Sequence, residues 1–162
     1  MKRIIQNGEN EQVEFKSLLP KEKRNIGKKF IGMINSVLYN NLELREVYLF
    51  IGVNDDGSPC GIEPVIEDAI KKNLINNKSK KALQRLIINI IKDKSDPKII
   101  PHSDSFYYDD YEILFFTCKV SNEVLVNYGG AFYIMAGDNI TCMSSEMIKN
   151  YYNKILKNRI KH

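Results

Sequence analysis

Residues 46–53 read EVYLFIGV, a continuous apolar run that is followed at 54–57 by the sequence NDDG. A run of this length, rich in β-branched and aromatic side chains, predicts the central strand of a sheet that is covered on both faces. Asn and Asp ahead of Gly are typical of a tight turn. The pattern therefore predicts that Asp55 lies where the central strand ends and the chain turns back.

Toward the N-terminus, the sequence predicts a short strand and then a helix. Val13 and Phe15 alternate with polar neighbours in the manner of a half-buried strand. After Pro20, residues 21–38 show apolar side chains at helical spacing opposite a basic face. The apolar positions of this helix are Ile26, Phe30, Met33, Ile34, Val37 and Leu38.

Toward the C-terminus, helical spacing gives way to β structure and then returns. Two helices are predicted between residues 64 and 94, with a break near Asn76, because Pro64 suits a first helical turn. Hairpins are predicted at 105–120 and 123–135, since acidic and glycine-rich turns interrupt these runs. Ser144 is predicted to cap a final helix, because its hydroxyl can accept from a free backbone N–H.

This element order, β-α-β-α-α-β-β-β-β-α, predicts an α+β or mixed α/β fold with one central mixed sheet flanked by helices. We expect a single domain over 1–162, because 43% hydrophobic residues can bury a real core. No apolar stretch is long enough to span a membrane, and no apolar run follows the basic start as a secretory signal requires.

The three cysteines, Cys60, Cys118 and Cys142, are odd in number and widely spaced. They predict a reducing, cytoplasmic location rather than a disulfide framework. Their spacing does not suit zinc, so we expect no zinc site and read them as buried small apolar residues. No GxxxxGK[ST] loop is present, so ATP is not an expected cofactor.

The formal net charge is only +4, but the basic residues are clustered. One cluster comprises Lys21, Lys23, Arg24, Lys28 and Lys29. The others comprise Lys71, Lys72, Lys78, Lys80, Lys81 and Arg85, and then Lys154, Lys157, Arg159 and Lys161. Such clusters are typical of nucleic-acid binding. Solvated helix faces give the same pattern, so both interpretations stay open.

Three carboxylates form the candidate site. Glu9 and Glu14 flank the first strand, and Asp55 follows the central strand. Positions 9 and 14 face the same way only if the chain bends near Gly8, which glycine makes easy. Three converging carboxylates stay ionised together only around a cation such as Mg²⁺ or Mn²⁺. Lys16 should lie near Glu14 on the same strand face. The alternative interpretation is that these three acids are ordinary solvated residues of turns.

Several segments resemble the Schlafen family, and they occur in the family's order. ENEQVEFK at 9–16 resembles its motif of two glutamates, five residues apart, that ends in EFK. FIGMINS at 30–36 is similar to its apolar-Asn helix segment. LFIGVNDDGSPCGIEP at 49–64 resembles its central strand and acidic turn. GAFYIMAGDN at 130–139 and SSEMI at 144–148 are similar to its late hairpin and following helix. The likeness is to a standalone AlbA_2 domain.

The resemblance implies a nucleic-acid partner, with RNA favoured over DNA. It implies a metal-dependent endoribonuclease that acts on structured RNA such as tRNA, with Glu9, Glu14 and Asp55 as catalytic residues and Mg²⁺ or Mn²⁺ ligands. If Asp55 is not the third carboxylate, the resemblance implies that Asp56 takes its place. The expected nucleic-acid-binding residues are Lys16, Lys21, Lys23, Arg24, Lys28 and Lys29. Larger family members combine two lobes, so this single lobe is expected to form a homodimer.

The alternative is a non-catalytic DNA- or RNA-binding module. In that case Glu9 and Glu14 would pair with Lys or Arg and hold the first strand in place. The nuclease instead requires the carboxylates to be close together and free of such partners. A structure can therefore weigh one hypothesis against the other.

Overall fold

The computed structural model describes residues 1–161 of the chain, so His162 of the predicted domain lies outside the described residues. Its helices are α1 (Lys2–Gln6), α2 (Arg24–Tyr39), α3 (Glu63–Lys71), α4 (Lys80–Lys94) and α5 (Ser145–Ile160). Its strands are β1 (Val13–Lys16), β2 (Glu46–Ile51), β3 (Ser95–Asp96), β4 (His102–Tyr108), β5 (Tyr111–Lys119), β6 (Asn127–Tyr128), β7 (Ala131–Ala136) and β8 (Asn139–Cys142). The predicted mixed α/β class is confirmed.

The first sheet has the order β1-β2-β5-β4. β1 runs parallel to β2, while β5 is antiparallel to both β2 and β4, so this sheet is mixed. The continuous apolar run forms β2, and residues 47–51 are all buried, as a central strand requires. Because β1 runs parallel to β2, with Glu14 opposite Leu49 and Lys16 opposite Ile51, the two strands end at the same end of the sheet, and Asp55 follows β2 there.

The two faces of the first sheet are covered differently. One face packs against α2, α3 and α4 in the main hydrophobic core. The other carries a smaller aromatic cluster around Phe15 and Phe50, which α1 covers with Ile5. The sequence did not predict α1, because five residues are too few to show helical periodicity. No helix among residues 1–161 combines the length and the apolar character needed to cross a membrane.

A second sheet has the order β3-β6-β7-β8 and packs against α2. The sequence predicted one sheet, but only the first of its two hairpins joins that sheet. The second hairpin instead pairs with β3, a two-residue strand at the end of α4, and with β8. Strands this short give no recognisable alternation, so the second sheet could not be read from the pattern.

Asn35 ties α2 to this second sheet. Its side chain is fully buried, and its Nδ2 donates to the carbonyl oxygens of Val126 at 2.9 Å and Tyr133 at 2.8 Å. Its Oδ1 accepts from the backbone N–H of Val126 at 2.8 Å. The neighbouring Ser36 hydroxyl accepts from the N–H of Met135 at 2.9 Å. The Asn-Ser pair that ends the FIGMINS segment therefore joins the helix to two separate stretches of backbone.

Close packing of α2 against Tyr128 leads to a stability prediction. A Cβ at Gly27 would lie 2.1 Å from the Tyr128 hydroxyl oxygen, and that hydroxyl donates to the Ile90 carbonyl. Gly27→Ala should therefore lower the free energy of unfolding by about 2 kcal/mol, although alanine favours helices. Urea unfolding followed by circular dichroism measures the change.

Gly32→Ala is the matched control on the same helix. Its Cβ would make ordinary contacts, with the flexible Met135 Sδ at 3.4 Å and with the Ile134 backbone at 3.6 Å. We expect a change in stability within about 1 kcal/mol. Equal losses in the two variants would contradict the packing argument.

Candidate nucleic-acid interface

Glu9 folds back onto the first strand. Gly8 has a φ of +80°, and an antiparallel bridge joins Asn10 to Val13, so the chain makes the bend that the sequence required. The Glu9 Oε1 then accepts from the backbone N–H of Phe15 at 2.7 Å. This bond fixes the Glu9 carboxylate beside β1, which has no neighbouring strand on that edge.

Glu14 is the most deeply buried carboxylate of the three, with only 2% of its side chain exposed. Its Oε1 accepts from Lys29 Nζ at 2.6 Å and also from Lys16 Nζ. Lys16 Nζ donates to the Phe15 carbonyl as well, at 2.8 Å. Lys16 thus contacts Glu14, as their shared strand face implied. Lys29 comes from α2, so the ion pair ties the helix to β1.

Asp55 is exposed in the turn after β2 and makes no hydrogen bond or ion pair within the part of the chain that is described. Its neighbour Asp56 has a different role. The Asp56 Oδ1 accepts from the Ser58 hydroxyl at 2.6 Å and from the Ser58 N–H at 2.9 Å. These bonds lower the pKa of Asp56 and commit its carboxylate to the turn. Asp55, rather than Asp56, is therefore the acid that stays available.

The charges of the other two carboxylates act on Glu9. Burial is the main cause that raises the pKa of Glu9, and the charges of Glu14 and Asp55 raise it further. The hydrogen bond from Phe15 and the charge of Lys16 act in the opposite direction. Glu9 and Glu14 are thus both held against β1, with Lys16 bonded to Glu14, while Asp55 is near enough for its charge to act on Glu9.

This arrangement does not fit a divalent cation as it stands. Among residues 1–161, no group of three His, Cys, Asp or Glu side chains is placed to hold a metal ion. Two ammonium groups already form ion pairs with the Glu14 carboxylate. Because both ammonium groups contact the same oxygen, Oε1, a metal at Glu14 would have to share the carboxylate with two lysines.

A basic groove lies at the start of α2. It has a volume of about 610 Å³ and is lined by Lys21, Lys23, Arg24 and Lys72, together with Glu22 and Leu74. A second groove of about 390 Å³ shares Lys23 and Arg24 with it and adds Lys94 and Asp93. The two grooves therefore form one surface that runs from the end of α3 to the end of α4. Sequence reasoning missed Lys94 because it stands outside the basic clusters.

The cations that were predicted to bind nucleic acid have different environments. Lys21, Lys23 and Arg24 are exposed, and within residues 1–161 none of them forms an ion pair. Lys28 Nζ lies over the Tyr133 ring, 5.5 Å from its centroid. Lys16 and Lys29 hold Glu14. A phosphate backbone would therefore meet unpaired charge first at the basic groove.

Elsewhere, acidic neighbours neutralise several members of the other basic clusters. Ion pairs join Lys72 to Asp68, Lys78 to Glu67, Lys80 to Glu112 and Arg159 to Glu123. The clustering of these basic residues is therefore explained by solvated helix faces, without a nucleic-acid partner.

The cysteines are free, but the prediction that they are buried is wrong. Cys142 is exposed, and the other two are only partly covered.

Comparisons with known proteins agree with the sequence motifs. The family model described as "Schlafen, AlbA_2" matches residues 9–144. No curated protein matches the chain. Among solved structures, the DIP2311 protein from Corynebacterium diphtheriae is similar with a TM-score of 0.49 and 12% identity; the match covers 86% of this chain and 23% of that one. The family match spans most of the sequence, so the chain belongs to the Schlafen AlbA_2 family.

Proposed function

We propose that this protein binds nucleic acid through the phosphate backbone, along the basic groove at the start of α2. Membership of the AlbA_2 family suggests a nucleic-acid-related function. The observation that carries the proposal is the groove itself, in which Lys21, Lys23 and Arg24 are exposed and free of acidic partners within the described residues. Unpaired cations along a groove release counterions when phosphates bind, which drives association.

The carboxylate cluster supports a binding module rather than an enzyme. Glu14 is paired with Lys16 and Lys29, and Glu9 accepts from the backbone of β1. Glu14 therefore has the lysine partners expected of the non-catalytic alternative, whereas Glu9 helps to hold β1 through a backbone hydrogen bond rather than an ion pair. On this account, the cluster fixes the position of α2, and α2 presents the groove.

A metal-dependent endoribonuclease that acts on structured RNA such as tRNA is the second candidate. One observation favours it, namely that Glu9 and Glu14 are both held against β1 and that the charge of Asp55 also acts on Glu9. This candidate requires Mg²⁺ or Mn²⁺, and Glu14 would have to bind the metal beside Lys16 and Lys29 or after they move. The experiment is incubation with total tRNA, with either ion or with chelator, followed by gel electrophoresis.

Glu14→Gln distinguishes the two candidates, because it keeps the shape of the side chain and removes its charge. If the second candidate is right, the wild type cleaves tRNA only with metal, and a folded Glu14→Gln variant does not cleave it. If the first is right, tRNA stays intact under every condition while binding persists. Metal-dependent cleavage that Glu14→Gln abolishes would replace the first candidate with the second.

Binding itself is tested by fluorescence anisotropy with labelled single-stranded and duplex RNA and DNA of matched sequence. We propose that RNA binds more tightly than DNA, on the basis of the family resemblance, and that base sequence matters little. Contacts to phosphates fix the register of a protein on nucleic acid but carry no sequence information. A strong preference for one base sequence would contradict this proposal.

We also propose that the protein is a cytoplasmic homodimer. The free cysteines support a reducing compartment. One AlbA_2 lobe is present over residues 9–144, and a second copy would supply the other wall of a cleft. Light scattering at micromolar concentration should give twice the mass of the chain. A monomer that binds RNA normally would contradict the dimer.

A further inference from the structure

The second groove, between the start of α2 and the end of α4, has an apolar floor. Leu86, Ile90 and Tyr128 form this floor, and the Tyr128 hydroxyl is fixed because it donates to the Ile90 carbonyl at 2.7 Å. The volume of about 390 Å³ lies in the range of ligand pockets, which are mostly apolar with a few polar groups. Such a floor suits the flat face of an unpaired base of any type.

The two helices supply different polar groups to this groove. Lys23 and Arg24 line it from the start of α2, whereas Asn89 and Asp93 line it from α4, where they lie one turn apart and are both exposed. Burial is the main cause that raises the pKa of Tyr128, while the charge of Asp93 adds to this rise and that of Arg24 opposes it. The cation and the carboxylate therefore both lie near the floor of the groove.

The Asp93 carboxylate does not help this surface to bind phosphates. It lies in the last turn of α4, where a negative charge is unfavourable, and its one ion pair among residues 1–161 is with Lys92 at 4.0 Å. Its oxygens are therefore available to accept from a ligand. Cations still outnumber acids over the two grooves when Asp93, Glu22 and Asp68 are all counted, so a phosphate is still attracted.

We propose that the second groove binds one unpaired ribonucleotide, with its base against the apolar floor, its phosphate on Arg24 and its ribose 2′-hydroxyl donating to Asp93. This inference rests on the proposed function and deepens it, because it names single-stranded RNA as the ligand and gives a source for the preference over DNA. The 2′-hydroxyl is the group by which a protein distinguishes the two. An ionised carboxylate accepts hydrogen bonds and donates none, so deoxyribose would leave Asp93 near a phosphate without compensation.

The experiment compares oligonucleotides that differ only at the 2′ position. One labelled single-stranded sequence is made as RNA, as 2′-fluoro RNA and as DNA, and its binding is measured by fluorescence anisotropy with chelator present. A fluorine at this position cannot donate a hydrogen bond. The wild type should bind RNA about tenfold more tightly than either of the others, as the loss of one hydrogen bond to a charged group would give.

Asp93→Ala should abolish this discrimination. RNA loses its acceptor, while 2′-fluoro RNA and DNA no longer meet an uncompensated carboxylate, so the affinities for RNA and 2′-fluoro RNA should become equal. Asp93 is exposed and pairs only with Lys92, so the variant should fold with the Tm of the wild type. The measured quantity is the ratio of two affinities of one variant, which a loss of folded protein does not change.

Glu22→Ala is the matched control. Glu22 is an exposed acid that lines the basic groove rather than the second groove. Its removal relieves repulsion of the phosphate backbone, which all three oligonucleotides share. We therefore expect this variant to bind each of them more tightly by the same factor and to keep the preference of the wild type for RNA over 2′-fluoro RNA.

The outcomes separate this inference from the proposed function. Equal binding of the three oligonucleotides by the wild type would overturn the ribose contact, and so would an Asp93→Ala variant that keeps the preference for RNA. A 2′-fluoro effect as large in an RNA duplex as in the single strand would also overturn the inference, because a paired base cannot enter the groove. In each case, variants of the basic groove that lose binding would still support the proposed function. Absence of binding to any nucleic acid would contradict both.

Discussion

Replacing Asn35 with aspartate should lower the free energy of unfolding by about 3–5 kcal/mol, the cost of a buried charge without a partner. The present amide donates to two backbone carbonyls and accepts from one backbone N–H. Aspartate would place a carboxylate against the same two carbonyl oxygens. Since whole domains are stable by only about 5–15 kcal/mol, much of the population should unfold. Urea unfolding monitored by circular dichroism measures the loss.

Asn25→Asp provides the control on the same helix. Asn25 is exposed in the first turn of α2, where a negative charge is favourable, so we expect a change of at most about 0.5 kcal/mol. Asn35→Ala should fall between the two, with a loss of about 1–3 kcal/mol, because it leaves buried backbone groups unpaired without adding charge. If Asn35→Asp were as stable as Asn25→Asp, the link between α2 and the second sheet would be refuted.

The largest functional effect is expected when three groove cations are neutralised together. A variant with Lys21→Gln, Lys23→Gln and Arg24→Gln should bind RNA about a hundredfold more weakly at about 0.15 M salt, if each cation neutralises one phosphate. None of the three pairs with an acid within residues 1–161, so the loss should not come from unfolding. Anisotropy titration and thermal melting check both points.

A variant of equal charge on α5 shows whether position matters. Lys149, Lys154 and Lys157 are exposed, and they lie on a different helix from the basic groove. Their replacement with glutamine changes the net charge by the same amount. We expect a reduction in affinity of only a few-fold, through the long-range field. Equal losses in the two triple variants would mean that total charge, rather than the groove, determines binding.

The sequence predicted the elements whose side-chain pattern is long and regular. The apolar run of β2, the stripe of α2 and the hydroxyl cap of α5 by Ser144 all follow from local chemistry, and the structure confirms them. The bend at Gly8 also followed, because glycine adopts a positive φ without strain. In contrast, α1, β3 and β8 are short and show no readable period.

The partners within the carboxylate cluster could not be read from the sequence. Strand alternation placed Lys16 near Glu14, because the two residues share a face of β1. Lys29, however, reaches Glu14 from α2, and only the packing of that helix on the sheet sets this contact. The basic groove likewise joins residues at the start of α2 to Lys72, which directly follows α3. Charge patterning indicated that cations were present, but tertiary structure decides which of them an acid neutralises.

The most direct test of backbone binding at the basic groove is the salt dependence of RNA affinity, compared between the wild type and the groove triple variant. On a duplex, each phosphate contact contributes about 0.9 to the slope of log K against log salt. The account predicts a steep slope for the wild type and a slope about 2.7 lower in magnitude for the variant, with the α5 triple variant close to the wild type. A wild-type affinity that is insensitive to salt, or identical slopes in the wild type and the groove variant, would contradict it.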